Sequence, residues 1–130
     1  MEKHTTIAMD IAKSVFEVAV SEEPGRVKER RRLTKSQMLR FFANREPARV
    51  VIEACGAAHA LARELEGYGH ELVLLPPGQV RRYVLRNKTD RTDTKGLLEA
   101  DRNEEIVPVP VKTVGQQALV AVHRLRSGWM

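Results

Sequence analysis

Four acidic residues stand where structure alone does not ask for acid. Asp10 interrupts the apolar run Ile7 to Ile11. Aspartate is a poor strand residue and is costly to bury without a partner. Glu53 closes the apolar run Val50-Val51-Ile52. Asp90 and Asp93 are three residues apart, so a helix puts both on one face. Four carboxylates gathered at one point repel, and the arrangement is favourable only with cations among them. Oxygen donors of this kind suit Mg²⁺, with Mn²⁺ as an alternative. Two such ions can activate a nucleophile and stabilise the leaving oxygen in phosphodiester chemistry. Metal-assisted strand cleavage or transfer is the chemistry implied. Each acid also has a plainer reading. Asp10 fits a turn at a strand end, and Glu53 fits a cap on a helix beginning near Gly56. Asp90 and Asp93 fit the N-terminal turn of a helix, where acids favour the dipole and Thr89 or Asp90 can cap. All four together, in slots that can converge, favour the metal site.

The elements that must bring them together follow from the pattern. Thr5 to Val20 reads as two strands, with Thr6, Ala8 and Asp10 on one face and Ile7, Met9 and Ile11 on the other. Glu22-Glu23-Pro24-Gly25 is a turn, and Arg26 to Leu33 is a basic third strand near an edge. Thr34 caps a helix over Lys35 to Asn44. Arg49 to Ala54 has the apolar character of a buried parallel strand. Gly56 to Tyr68 is helical and Gly69 stops it. His70 to Leu75 is a further strand, ended by Pro76-Pro77. Gln79 to Leu85 is a short helix, Arg86 to Thr89 a basic loop, and Asp90 to Asn103 a helix. Val107-Pro108-Val109-Pro110 is extended, because proline blocks helix and restricts its predecessor. Thr113 caps a last helix through about Arg126.

An antiparallel meander feeding helix-linked parallel strands is the layout of an α/β, ribonuclease H-like fold with a mixed five-stranded sheet flanked by helices. In that layout the first and fourth strands are neighbours, so Asp10 meets Glu53. The helix bearing Asp90 and Asp93 then needs only to lie across the sheet edge. Fold alone does not imply function.

Composition narrows the class. The 130 residues are the size of one domain, and 42% hydrophobic content supplies a core with only 5% aromatics. Twenty-two Lys+Arg against 17 Asp+Glu give +5, which favours a polyanionic partner as readily as it fits a basic soluble domain. Cys55 is the only cysteine, which excludes an intramolecular disulfide and a cysteine-based zinc site. The single cysteine suits a reducing cytoplasm; no stretch reads as a signal peptide and none is long enough to span a membrane, so no membrane partner is expected.

At these acids the chain resembles a known family. Met9-Asp10-Ile11-Ala12-Lys13, Ile52-Glu53-Ala54-Cys55-Gly56-Ala57-Ala58-His59, Gly69-His70 to Pro76-Pro77, and Arg86-Asn87-Lys88-Thr89-Asp90-Arg91-Thr92-Asp93 are similar, in order over roughly residues 5 to 126, to the DEDD transposases of the insertion sequence one-ten family. The resemblance implies that Asp10, Glu53, Asp90 and Asp93 are the catalytic metal ligands of a RuvC-like domain. It implies a boundary, with the catalytic domain in residues 1–105 and the start of a helical coiled-coil region in 106–130. It also implies Mg²⁺, DNA, homo-oligomers and a guide RNA in the full-length enzyme. Thr94-Lys95 departs from the family, which usually has alanine and a small or acidic residue there. The family's C-terminal domain carries a catalytic serine, and Ser14, Ser21, Ser36 and Ser127 do not occupy its place. Complete recombination is therefore not expected of these residues alone. A nucleic-acid-binding or assembly fragment, and a RuvC-type junction resolvase, are the alternatives.

Arg81, Arg82, Arg86, Lys88, Arg91 and Lys95 are expected to contact phosphate near the last two aspartates; a solvated loop and helix face is the plainer reading. Lys28, Arg30, Arg31 and Arg32 read equally as a second contact strip or as a charged edge that blocks aggregation. His59 lies four residues after Cys55, and packing on the sheet is favoured over a metal pair. Tyr83 is read as packing rather than as a base-stacking platform.

Overall fold

The computed structural model describes residues 5–12, 14–84 and 92–118, with Val84, Thr92 and Asp93 described by their backbone alone. Five strands and four named helices follow one another. They are β1 (Thr6–Ile11), β2 (Phe16–Ser21), β3 (Glu29–Leu33), α1 (Lys35–Ala43), β4 (Arg49–Glu53), α2 (Gly56–Gly67), β5 (Glu71–Leu75), α3 (Pro77–Val84) and α4 (Thr92–Asp101). The sheet order is β3-β2-β1-β4-β5. β1, β2 and β3 pair antiparallel, whereas β1–β4 and β4–β5 are parallel. Parallel neighbours need a crossover, and α2 supplies the one between β4 and β5.

Strand alternation sorts the side chains onto two cores. Ile7, Met9, Val18, Val20, Val50, Ile52 and Leu74 meet Met38 and Phe42 of α1 and Leu61 and Leu65 of α2. Ala8, Val51, Val73 and Leu75 face the other way, against Val80 of α3 and Leu97 and Ala100 of α4. The sheet is thus sandwiched between two helical layers. With its mixed five-stranded sheet, the fold is ribonuclease H-like.

Local chemistry sets the boundaries. The Thr34 hydroxyl accepts from Gln37 N while the Gln37 side chain accepts from Thr34 N, a full capping box. Gly69 ends the α2 turn at φ 96°, a conformation glycine adopts without penalty. β3 begins at Glu29 rather than Arg26, because Arg26 N donates to Glu23 O (3.1 Å) and closes the hairpin turn over Gly25 at φ 80°. α3 begins at Pro77 rather than Gln79, since proline suits a first helical turn, where its missing N–H has no acceptor to meet.

After α4 the chain turns back across α2. Ile106 is buried in the second core, and Val109 N donates to Leu74 O (2.7 Å), covering the open edge of β5. Pro108 and Pro110 flank Val109 and have no N–H of their own to give. Thr113 and Gln116 then cap each other reciprocally before helical residues 114–118. The expected continuation of that helix to Arg126, and with it a coiled coil, lies outside the described residues.

Candidate metal centre

The registered pairs of β1 and β4 are Thr6–Arg49, Ile7–Val50, Ala8–Val51 and Met9–Ile52. One step further along both strands stand Asp10 and Glu53, at the carboxyl end of the parallel pair. Directly opposite residues share a face, and Asp10 is also paired with Glu17 of β2, as Glu53 is with Leu75 of β5. One row across the sheet therefore runs Arg32, Glu17, Asp10, Glu53, Leu75. Asp10 is half-buried within β1 rather than in a turn, and Glu53 is exposed. The residue capping α2 is Cys55, so Glu53 is not the cap. Glu17 is held by Arg32, whose Nε (3.1 Å) and Nη2 (2.7 Å) both donate to its Oε1.

This row lies on the face that carries α4. The helix runs antiparallel to β1. At its C-terminal end Asp101 accepts from Arg49 Nε (3.0 Å) and Nη2 (2.7 Å), at the start of β4. Near its N-terminal end the buried Thr94 hydroxyl accepts from Arg30 Nη1 (3.0 Å), one row closer to the acids. The first turn of α4 therefore approaches the Asp10–Glu53 end, and Asp93 is the second residue of that turn. Of the four acids singled out from the sequence, Asp10 and Glu53 are brought to neighbouring positions. Asp93 is placed by backbone at the same end, and Asp90 lies outside the described residues. Among the described residues, no set of three or more His, Cys, Asp and Glu side chains is arranged to hold a metal ion. Asp10 and Glu53 are both hard oxygen donors, which fits Mg²⁺ or Mn²⁺ and does not fit a thiolate-seeking metal.

The basic residues separate. Arg81 and Arg82 are exposed on α3, and Arg82 lines a small cavity with Gln79, Tyr83 and Asn103. Lys95 lines a different cavity, of about 410 Å³, between α4 and the β2–β3 turn. Arg86, Lys88 and Arg91 lie outside the described residues. In the edge strip, Lys28 pairs with Glu22 (3.1 Å), Arg32 with Glu17, and Arg31 with Glu29, which Arg45 also reaches (3.1 Å). Burial alone would raise the Glu29 carboxyl, but hydrogen bonds from Arg31 and Arg45, and their charges, hold it below its ordinary value. A strip so matched with acid offers little net charge to a phosphate backbone, which favours the reading of β3 as a protected edge.

His59 is buried, and its Nδ1 accepts from Lys112 N (3.0 Å). Burial, followed by the charges of Lys112 and Arg63, lowers its pKa from the ordinary value. Arg63 in turn donates to the Lys112 carbonyl and to Gln117 Oε1. The Tyr83 hydroxyl accepts from Asn103 (2.9 Å). Sequence reasoning missed the two arginine contacts to α4. An arginine opening the apolar run Arg49 to Glu53 was the available signal for one of them. Nothing local marks Arg30 and Thr94, which are 64 residues apart.

The fold and the paired strand-end carboxylates place the chain in the ribonuclease H-like class. The family model for transposases of the DEDD type of IS110 matches residues 7–130, and the chain belongs to that family. A Pseudomonas aeruginosa protein named "Probable family 20 transposase" is 40% identical over 121 residues, covering 93% of this chain and 36% of that protein. The transposase for insertion sequence element IS1328 of Yersinia enterocolitica is 34% identical over 127 residues, 98% of this chain and 38% of that protein. The transposase for insertion sequence element IS1111A of Coxiella burnetii is 36% identical over 121 residues, 93% and 33% respectively. The chain thus spans about a third of the length of these curated relatives. Among the described residues, no helix is long and apolar enough to cross a membrane.

Proposed function

We propose that this chain is the Mg²⁺-dependent catalytic domain of a DNA transposase, which cleaves and transfers strands during movement of an insertion sequence. The observation that carries the reading is the meeting of Asp10 and Glu53 at the ends of two parallel strands, with the first turn of α4 directed at the same end. Family membership supports it. Asp10, Glu53, Asp90 and Asp93 hold the ions. When bound, divalent ions supply a water or hydroxyl activated for attack and charge compensation on the leaving oxygen. The central strands contribute rigidity: Asp10 and Glu53 directly follow the buried Met9 and Ile52, so the backbone that carries both carboxylates is firmly placed. Arg81 and Arg82, with Arg86, Lys88, Arg91 and Lys95, hold the phosphate backbone. A guide RNA, further copies of the chain and a cytoplasmic setting complete the proposal.

Thermal unfolding with and without Mg²⁺ or Mn²⁺, on the natural sequence and on Asp10→Asn, tests it. A ligand that binds only the folded state raises the unfolding temperature. The reading expects the shift in the natural sequence and its loss in Asp10→Asn. Equal shifts in both, or none in either, contradict a metal centre at Asp10 and favour a nucleic-acid-binding or assembly role.

A further inference from the structure

We propose that Arg30 and Arg49 are positioning residues that fix α4 along the sheet and so hold its first turn, with Asp93, at the Asp10–Glu53 end. The inference rests on the metal-centre reading. Its starting point is how the N-terminal part of α4 is held. α4 crosses the sheet over Ala8 and Ala19, both fully buried, and presents Ala100, Leu97 and the small Gly96 and Thr94 toward the protein. Helices take their register from ridges seated in grooves. Leu97 and Ala100 pack against Val51, Val73, Leu75 and Val80, whereas the stretch Thr94 to Gly96 beside the acid end presents small residues with shallow ridges.

Two polar contacts add direction to that packing. Arg49 presents a planar fork to both oxygens of Asp101, at 3.0 and 2.7 Å, and its Nη1 also donates to Glu71 (3.0 Å). Bidentate arginine–carboxylate pairs fix orientation as well as distance. The Asp101 side chain is 10% exposed and that of Arg49 36%, so the carboxylate is withdrawn from solvent while the arginine is partly in it. The hydrogen bonds that Arg49 donates to Asp101 are the main reason its guanidinium is held above its ordinary pKa. At the other end Arg30 reaches from the edge strand past β2 to Thr94, which is 3% exposed. The two pins are seven residues apart, about 10 Å along a helix at 1.5 Å per residue. They arise from strands on opposite sides of β1. One pin would leave α4 able to pivot, whereas two fix both its position and its direction. Asp93 adjoins the pinned Thr94, so a shift of α4 is passed directly to its backbone.

The test uses the 130-residue chain with Arg30→Met, Arg30→Lys and Thr94→Val. Two quantities are read: hydrogen exchange at the Gly96 to Leu98 amides, and Mn²⁺ affinity by calorimetry. Those amides are the first in α4 with carbonyl partners inside the helix. Arg30→Met and Thr94→Val are expected to speed exchange there, leave β1 and β4 protected, and weaken Mn²⁺ by about tenfold, the lower range for lost support of a metal ligand. Arg30→Lys, which still donates, restores most of the affinity. Faster exchange with Mn²⁺ affinity within twofold of the natural sequence makes the contact structural only and overturns the positioning role. Unchanged exchange overturns the pin itself. Asp10→Asn separates the two levels. If it binds Mn²⁺ as the natural sequence does, the metal-centre reading fails and the positioning role falls with it. If it loses Mn²⁺ while Arg30→Met does not, the positioning role alone is wrong.

Discussion

Met9 and Ile52 are the last registered pair between β1 and β4, and a carboxylate follows each of them. Ligands of open α/β sheets bind beyond the carboxyl ends of parallel strands. Here that place is acidic on two adjacent strands, and the nearest further acid across the sheet, Glu17, is matched by Arg32. Asp10 and Glu53 are adjacent acids at the centre of this row. They are flanked on one side by an arginine–glutamate pair and on the other by buried Leu75.

Phosphate contact is expected from α3 rather than from the basic edge. Arg81 and Arg82 are exposed, whereas Lys28, Arg31 and Arg32 each pair with a glutamate. Arg81→Ala with Arg82→Ala should weaken binding to a DNA duplex and lower the slope of log K against log salt by about 2, one unit for each phosphate no longer neutralised. Arg31→Ala with Arg32→Ala should leave the slope unchanged. Fluorescence anisotropy at several salt concentrations checks both, and the reverse ranking would move the interface to β3.

The segment laid across α2 should loosen in acid. His59 has a lowered pKa in the folded chain, from burial first and then from Lys112 and Arg63. Near neutral pH both folded and unfolded chains leave it unprotonated. As pH falls below the ordinary histidine value of about 6.5, the unfolded chain takes up a proton that the folded chain resists, so the stabilisation is lost on acidification. A proton on Nδ1 also ends its role as acceptor for Lys112 N. Exchange at the Lys112 amide, corrected for its intrinsic rate, should rise between pH 7.5 and 5.5. His59→Asn keeps an acceptor without the titration and should flatten the response. A response equally steep in the variant would show that another group is responsible.

A second histidine carries stability instead. His70 is 4% exposed; its Nδ1 accepts from Ala48 N (3.0 Å) and its Nε2 donates to Phe42 O (2.7 Å). It joins α1 to the entry of β4, and its ring packs edge-on against Phe42 at 5.4 Å. His70→Ala strands the Ala48 N–H, leaves Phe42 O with the longer bond from Arg45 N (3.3 Å) and opens a cavity, so a loss of about 3 kcal/mol is expected. Urea unfolding measures it, and a loss under about 1 kcal/mol would mean that water or relaxation replaces both bonds.

Much of this was legible from periodicity. The alternation around Ile7, Met9 and Ile11 marked β1 and its buried face, the apolar run ending at Glu53 marked β4, and Thr34 and Gly69 marked a helix start and a helix stop. Those signals are local, and local signals survive folding. Adjacency of Asp10 and Glu53 was legible only through the layout, since it depends on which strands become neighbours. Pro77 misled because proline ends one element and opens the next equally well. The Arg30–Thr94 and Arg49–Asp101 contacts join residues 64 and 52 positions apart, and no local pattern encodes such a distance. The glutamate partner of Arg32 was hidden for a related reason: Arg32 and Glu17 meet only through the register of β2 and β3.

Mn²⁺ titration followed by amide NMR tests the central claim most directly, because a bound paramagnetic ion broadens the signals nearest to it. At a small fraction of one equivalent, the amides of Asp10, Ile11, Glu53 and Ala54 should broaden first, and Asp10→Asn should remove the effect. Broadening that begins instead at Glu22 and Glu23, at Glu64 and Glu66, or evenly over the acidic surface, or that persists unchanged in Asp10→Asn, would contradict a metal centre at the ends of β1 and β4.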